Sequence, residues 1–374
     1  MGDLDERRRL HLRLRLADGV GALTSRRLLA AFGDVEGVFA ASPAQWRSVE
    51  GVGAKTVAAL ADVDDGAIDE ELALAAKVGA TVLCLDDPAY PPALRNIDDP
   101  PPVLYVLGRL DESDAVAVSV VGSRRCTTYG LEQAERFGGL LGRAGLTVVS
   151  GGARGIDAAA HRGAIRSGGR TIAVMGCGLC TLYPRENVKL LRQIVDDDRG
   201  AVVSELPMRV GVKSGNFPTR NRIVSALGLG VLVVEAARRS GSLITARLAL
   251  EQGKDVFALP GRVDSPFSAG TNQLIADSAA KLVAGLDDIL DSLGAVGQVL
   301  QDEGAAEPPP PVVDLSPVER KLMEHLTGAE LSLDELISRA SRPAGEITAA
   351  MTTLALKGLI VQRPGGVFAA RHRS

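Results

Sequence analysis

Two arginines stand directly after a strand-like run of apolar residues, where a nucleotide-binding loop commonly carries glycines. The run AVSVVG ends at Gly122 and is followed by Ser123, Arg124 and Arg125. Because this loop lacks the G-x-G-x-x-G spacing, it does not match the dinucleotide fingerprint. Guanidinium groups, the hydroxyls of Ser123 and Thr127 and the amides at a helix start are suited to binding phosphate. The loop therefore predicts a phosphate site.

A second segment, KSGNFPTRNR over residues 213–222, joins three basic side chains to one aromatic ring. A single-stranded nucleic acid site needs this combination, since charge binds the backbone and a ring stacks on a base. Only 3% of the residues are aromatic, so Phe217 is one of few candidates for stacking. Such stacking contributes about 1–3 kcal/mol. The segment favours a polynucleotide as the ligand.

The other loops after strand-like runs are rich in glycine and hydroxyl groups but contain no recognisable general base. In SGGARGID we expect Asp157 to cap a helix, and we expect His161 in that helix to be structural. Glu205 and Glu235 both stand at strand ends. No Ser-His-Asp order or metal-ligand cluster is present in the sequence. We therefore expect these loops to bind phosphate rather than to catalyse hydrolysis, and we expect no metal and no cofactor.

Four cysteines are too few and too scattered for a disulfide framework. Cys177 and Cys180 have C-x-x-C spacing, but zinc would require two further ligands. We interpret the pair as small residues after a strand.

The net charge of −4 confines any nucleic-acid contact to a local patch. No apolar run approaches the roughly 18 residues of a membrane span, and no signal peptide is evident, so we expect a cytoplasmic protein without membrane contact.

These loops require a scaffold that brings strand ends together. Apolar runs recur as VAVSVVG, LTVVSGG, TIAVMG, AVVSEL, GVLVVEA and DVFALPG, with helical patterns between them. Strands that are apolar on both faces and alternate with helices predict an α/β fold with a parallel sheet. We therefore expect an extended Rossmann-like, doubly wound, mostly parallel sheet over residues 79–295. Its ligand should bind beyond the carboxyl ends of the strands.

Residues 1–78 have the pattern of a helical module with two Gly-Val-Gly turns. This arrangement is typical of a helix-hairpin-helix or SAM-like domain, whose helix N-terminal amides can hold a backbone phosphate. Gly51, Gly53 and Lys55 are the candidate phosphate contacts. A purely scaffolding role fits the pattern equally well, so both interpretations stay open.

A proline-rich linker is expected over residues 296–314, before a winged helix over 315–374. Capping boxes begin two helices at Ser316 and Ser332, and a hairpin turn is expected at Gly365 and Gly366. The presumptive recognition helix has Glu346 and no basic stripe, which favours partner binding or packing over sequence-specific DNA contact.

Together, several segments resemble the DNA processing protein A family, also called DprA or Smf. They follow the family's order from about residue 87 to residue 284 and are DPAYPPALRNIDDPPPVLYVLG, VVGSRRCTTYG, SGGARGIDAAAH, GCGLCTLYP, SELP, FPTRNRI, VVEAARRSGSLITA, PGR and GTNQLI. The chain departs from the family's pattern at Cys180, where Asp is usual, and at Ser278, where Gly is usual.

The resemblance implies a DNA-binding protein of natural transformation that acts without catalysis. It would bind single-stranded DNA without sequence preference, form a homodimer, and load the RecA recombinase onto DNA coated by single-strand binding protein. One wall of the implied DNA pocket is Gly122, Ser123, Arg124, Arg125, Gly151 and Gly176. The opposite wall is Lys213, Phe217, Arg220, Asn221 and Arg222.

Two alternatives use the same cleft. One is a nucleotide-sensing Rossmann protein that binds a free nucleotide as a signal. The other is a phosphoribohydrolase-like enzyme acting on nucleoside monophosphates. Such enzymes typically carry a P-G-G-x-G-T-x-x-E loop, whereas the corresponding region here reads EAARRSGSLITA.

Overall fold

The structure is a computed structural model that describes residues 2–304, 315–327, 329–340, 342–357, 359–363 and 367–370. The chain divides into two compact units, residues 1–305 and 306–374. Within the described residues, no helix combines the length and apolar character needed to cross a bilayer.

The first unit begins with a helical module. Its helices are α1 (Gly2–Leu16), α2 (Ala22–Phe32), α3 (Val35–Ala40), α4 (Pro43–Arg47), α5 (Ala54–Asp62) and α6 (Asp65–Val78). Glycine turns precede α2 and α5, while the side chains of Asp34, Ser42 and Asp64 cap the starts of α3, α4 and α6. This module belongs to the same compact unit as the sheet that follows.

The sheet and its helices occupy the rest of the first unit. The elements are β1 (Ala80–Cys84), α7 (Pro92–Arg95), β2 (Val103–Gly108), β3 (Ala117–Val121), α8 (Thr128–Arg143), β4 (Thr147–Ser150), α9 (Ile156–Arg166), β5 (Thr171–Val174), α10 (Val188–Asp196), β6 (Gly200–Ser204), α11 (Asn216–Leu227), β7 (Gly230–Val233), α12 (Ser242–Glu251), β8 (Asp255–Ala258), α13 (Ala269–Ala276), β9 (Lys281–Leu282), α14 (Asp287–Ser292) and α15 (Ala295–Gly304). Short 3₁₀ helices lie at Glu112–Ala115 and Arg185–Asn187.

The strands of this unit form one sheet in the order β1-β2-β6-β5-β4-β3-β7-β8-β9. Neighbours from β6 to β9 are parallel, and β1 and β2 extend one edge in antiparallel pairing. The chain winds outward from β3 to β6 and then returns to β7 on the other side of β3. The predicted doubly wound, mostly parallel sheet is confirmed, and its switch point lies beside β3.

The end of this unit differs from the predicted linker. Helix α15 covers the first residues assigned to the linker, and Leu300 on this helix packs against the core of the sheet domain. Apolar residues at helical spacing, Val296, Val299 and Leu300, explain the extension. The proline run lies outside the described residues.

The second unit contains α16 (Pro317–Leu326), β10 (Glu330–Ser332), α17 (Leu333–Ala340), α18 (Ala344–Leu356), β11 (Ile360–Arg363) and β12 (Val367–Ala370). Reciprocal bonds between Ser316 and Glu319, and between Ser332 and Glu335, confirm both predicted capping boxes. The two last strands pair antiparallel, and β10 joins them as a strand that the sequence did not predict. The glycines expected at the hairpin turn lie outside the described residues.

Candidate nucleic-acid interface

A cleft of about 660 Å³ lies at the carboxyl ends of β3, β4 and β7, beside the switch point of the sheet. Parallel strands place the loops that follow them at one edge, so segments distant in sequence meet here. The predicted site residues that line this cleft are Gly122, Ser123, Arg124, Arg125, Gly151, Phe217, Arg220 and Asn221.

The loop of residues 122–125, called the arginine loop below, is fixed by hydrogen bonds at its first residues. The Ser123 amide donates to the Glu235 carbonyl at 2.7 Å, and the Ser123 hydroxyl donates to the Arg125 carbonyl at 2.8 Å. A Cβ at Gly122 would lie 2.5 Å from the Ile156 side chain, so only glycine allows this approach. The base of the loop is therefore held in place, while the Arg124 and Arg125 side chains are exposed.

A carboxylate already occupies the start of α8. Glu235 is 2% exposed and accepts hydrogen bonds from the amide and the hydroxyl of Thr127, each at 2.7 Å. Thr127 in turn accepts a bond from the Gly130 amide. The expectation that the Thr127 hydroxyl holds a phosphate is therefore wrong, because this hydroxyl and the amides of Thr127 and Gly130 already have partners inside the protein.

Phe217 stands at the boundary between the main cleft and a smaller cavity beside it. Its ring packs on Gly176, where a Cβ would come within 2.9 Å of the ring. The Tyr183 ring lies 6.1 Å from it, measured between centroids, and the Arg124 guanidinium lies 4.8 Å from the Phe217 centroid. Gly176 thus lines the smaller cavity and supports the ring, rather than lining the main cleft.

Arg220 lines the cleft from a buried position. Its guanidinium donates to the carbonyls of Gly151 and Val174, at the ends of β4 and β5. Burial lowers the pKa of Arg220 to about 10. Burial also raises the pKa of the neighbouring Asp157 carboxyl, and the positive charge of Arg220 partly offsets that rise. Arg220 remains charged at neutral pH, so it ties the strand ends together and adds positive potential beneath the cleft.

Two predicted contacts lie elsewhere. Arg222 is buried and donates to Asp99 and Glu205, both at 2.7 Å, so its charge is already matched inside the protein. Arg220 and Arg222 are two positions apart on α11, which places them about 200° apart around the helix, so only one can face the cleft. Lys213 is exposed in the turn before α11 and does not line the cleft.

Sequence reasoning missed the third wall of the cleft. It is formed by the loop after β7, the first turn of α12 and the segment before α13, and it includes Arg239, Ser240, Ser242, Thr245 and Phe267. The Ser240 and Ser242 hydroxyls are 2.7 Å apart. The signal was present, because the loop after β7 and the segment before α13 both follow strands of the sheet and one of them contains an aromatic residue in a chain with few.

Cys177 and His161 are buried and each has a hydrogen-bond partner inside the protein. Burial raises the pKa of the Cys177 thiol, which donates to the Thr181 carbonyl at 3.1 Å, and Cys180 is exposed. Burial lowers the pKa of His161 to about 3, and its Nδ1 lies 2.6 Å from the Thr171 hydroxyl. Across the described ranges, no cluster of His, Cys, Asp and Glu could hold a metal ion.

The candidate phosphate contacts of the helical module lie together at the start of α5. Gly53 is the N-cap and provides no side-chain cap, and Gly51 has a positive φ of 83°. Lys55 is 91% exposed, with its Nζ 3.9 Å from the Asp18 carboxylate. These positions are accessible to a phosphate, and their DNA contact stays a prediction.

The fold and the cleft define a doubly wound α/β protein with a cationic and aromatic site at the switch point and a separate C-terminal unit. Residues 81–294 match the model of the family described as DNA recombination-mediator protein A, and residues 306–366 match the DprA winged helix domain. The chain belongs to the DNA recombination-mediator protein A family, whose members are called DprA or Smf. The family resemblance and the α/β class with a C-terminal winged helix are thereby confirmed.

Curated relatives cover most of the chain. Protein Smf of Synechocystis is 34% identical across 93% of this chain and 94% of its own length, and Protein Smf of Escherichia coli is 40% identical across 77% and 76%. The crystal structure of DNA processing protein A from Streptococcus pneumoniae covers 75% of this chain and 95% of its own, with a TM-score of 0.66 and 34% identity. A Helicobacter pylori structure, described by its single-stranded DNA binding mode, covers 57% and 95%, with a TM-score of 0.51 and 31% identity.

Proposed function

We propose that this chain binds single-stranded DNA in the cleft at the switch point, without sequence preference. The observation that carries the proposal is the pairing of the Arg124 guanidinium with the Phe217 ring, 4.8 Å apart at the cleft. One group recognises a phosphate and the other a base, which are the two repeating parts of a nucleic acid strand. Arg239 and Phe267 on the third wall repeat the same pair of chemistries.

A role as a recombination mediator follows from this binding and from the family. We propose that the protein loads RecA onto DNA coated by single-strand binding protein during natural transformation, that it acts as a homodimer, and that it needs no cofactor. We also propose that it is not an enzyme. In support, two carboxylates near the cleft are engaged, since Glu235 accepts hydrogen bonds from Thr127 and the buried Asp157 is close to the positive charge of Arg220.

The binding test is fluorescence anisotropy with a labelled oligothymidylate and a duplex of equal length. Arg124→Ala should weaken single-strand affinity about 10-fold, because it removes a charge-assisted phosphate contact. Phe217→Ala should weaken it by about 5-fold or more through lost stacking. Arg247→Ala, at an exposed position on α12 outside the cleft, removes the same charge and should leave affinity within about two-fold. Equal affinity for duplex and single strand would refute the proposal.

Salt dependence measures how many phosphates the site neutralises. Arg124, Arg125, Lys213 and Arg239 are exposed cations on or beside the cleft. Four phosphate contacts predict a slope of log affinity against log salt near −3, from about −0.7 per contact for single strands. A slope near zero would show that the cations do not bind the backbone.

The alternatives predict different measurements. Calorimetry that detects micromolar binding of a mononucleotide but none of an oligonucleotide would favour nucleotide sensing. Release of a free base from a nucleoside monophosphate, followed by chromatography, would favour the phosphoribohydrolase-like enzyme. The mediator role is tested by strand exchange in which RecA must displace single-strand binding protein. The full chain should accelerate exchange, and Arg124→Ala should not.

A further inference from the structure

Arg124 and Phe217 are each suited to one part of a nucleotide, yet in this structure they bind each other. The Arg124 guanidinium lies over the Phe217 ring, with 4.8 Å between the guanidinium carbon and the ring centroid. This distance is within the range of a cation–π contact, which extends to about 6 Å. Gly176 and Tyr183 pack against other parts of the same ring. The guanidinium therefore covers ring surface on which a base would stack.

Arg124 is well placed to leave the ring. Its side chain is exposed, and no carboxylate forms an ion pair with it among the residues that the structure describes. The main chain below it is held by the hydrogen bond from the Ser123 amide to the Glu235 carbonyl, in the segment just after β7. A phosphate in the cleft can thus attract the guanidinium without any rearrangement of the loop itself.

We propose that Arg124 is a specificity-determining residue that couples phosphate binding to base stacking. When a phosphate draws the guanidinium away, the Phe217 ring becomes available, and the adjacent base replaces the lost cation–π contact. A ligand with only a base meets a covered ring, and a ligand with only phosphates loses the cation–π contact without replacing it. The site therefore selects strands that carry bases and phosphates together. This inference rests on the proposed single-stranded DNA binding.

The test uses an oligothymidylate and an abasic oligonucleotide of the same length, so that the phosphates are equal and only the bases differ. Phe217→Leu should weaken oligothymidylate binding by about 5-fold or more, because a stacking surface is lost. The same variant should bind the abasic strand about two- to five-fold more tightly than the wild type, because Arg124 no longer has to leave a ring. A gain in affinity on deleting an aromatic ring is not expected from a site in which the two groups act independently.

Two controls isolate the cause of that gain. In an Arg124→Ala background, Phe217→Leu should leave abasic affinity unchanged, because no guanidinium competes for the ring. Phe267→Leu makes the same change on the third wall, where no cation lies over the ring within the described part of the chain, and should give no gain. Phe217→Met serves as a second variant of the same position, and thermal melts verify that each variant is folded.

The outcomes separate this inference from the function on which it rests. If the wild type binds neither oligonucleotide, the proposed function is wrong. If the wild type binds oligothymidylate but neither folded Phe217 variant gains affinity for the abasic strand, the coupling is wrong and the binding proposal stands. A gain that persists in the Arg124→Ala background would likewise overturn the coupling.

Discussion

The side chains of Arg124, Arg220 and Arg222 carry the same charge in very different surroundings. Arg124 is exposed over an aromatic ring, Arg220 is buried against main-chain carbonyls, and Arg222 is buried between Asp99 and Glu205. A buried guanidinium with its own carboxylates gains little from a phosphate, and removing it would leave buried charges unmatched. Only the exposed arginine can exchange its present contact for a ligand at low cost.

Ser278 is a non-glycine residue with a positive φ. Ser278 has a φ of 55° in the turn after α13, in the left-handed region that favours glycine. A side chain in this left-handed region costs about 1 kcal/mol. The departure noted from the sequence therefore leaves the turn intact and lowers its stability.

Ser278→Gly should raise the free energy of unfolding by about 0.5–1 kcal/mol, because glycine adopts the positive φ without a steric penalty. The side chain is exposed, so the substitution removes no packing. Urea unfolding of both proteins measures the difference. Ser278→Ala keeps a Cβ and should give no gain, and a Gly variant that is no more stable than the wild type would contradict the argument.

At the scale of elements, α11 runs from the cleft, at the carboxyl ends of the strands, to the amino end of β7. Its first turn carries Phe217, and its last carbonyls meet the Lys254 ammonium, which donates to Ser225, Ala226 and Gly228. Burial lowers the pKa of Lys254 to about 8, so the ammonium is still largely charged at pH 7. A cation at this end complements the helix dipole and satisfies carbonyls that have no partner within the helix.

Lys254→Met should destabilise the protein by about 2 kcal/mol at pH 7, since the hydrophobic stem is retained and the three carbonyl contacts are lost. Lys281→Met is a matched control, because this exposed lysine pairs with Asp255 at the surface and should cost less than about 1 kcal/mol. Chemical denaturation at constant pH compares the two. Similar losses would show that the position of Lys254 at the helix end has no special effect.

The strands and the walls of the cleft could be predicted to different degrees. Runs that are apolar on both faces identify parallel strands, and chain order places the loops after them at one end of the sheet. The family resemblance, rather than this pattern, assigned Arg124 and Phe217 to opposite walls of one pocket. The sequence could not show that Glu235 fills the start of α8 or that Arg222 points inward. Both depend on the positions of partners about 100 residues away, Thr127 and Asp99. Local patterns contain no information about such contacts.

At the scale of the whole first unit, the arginine-rich start of the chain serves to attach the helical module. Arg8 pairs with Asp87, Arg15 donates to the Glu205 carbonyl, and the buried His11 lies 2.9 Å from Asp86, all across the boundary with the sheet domain. Glu71 also accepts a bond from the Met208 amide at 2.7 Å. These contacts explain why the module and the sheet form one compact unit, and they use charges that could otherwise have been assigned to DNA.

The contact between His11 and Asp86 makes this attachment sensitive to acid. The hydrogen bond with His11 lowers the pKa of the Asp86 carboxyl below its ordinary value of 3.8. When the pKa of a carboxyl is lower in the folded state than in the unfolded state, the ionised group stabilises the protein at pH values above its unfolded-state pKa. This contribution is lost as the pH falls through the folded-state pKa.

Asp86→Asn should therefore be less stable than the wild type at pH 6, and the difference should shrink below about pH 4 as the carboxyl is protonated. Urea unfolding from pH 6 to pH 3 measures this, with Glu132→Gln, on the exposed face of α8, as the control for charge alone. A difference that stays constant down to pH 3, or one that the control reproduces, would show that Asp86 does not stabilise the attachment as an ionised group.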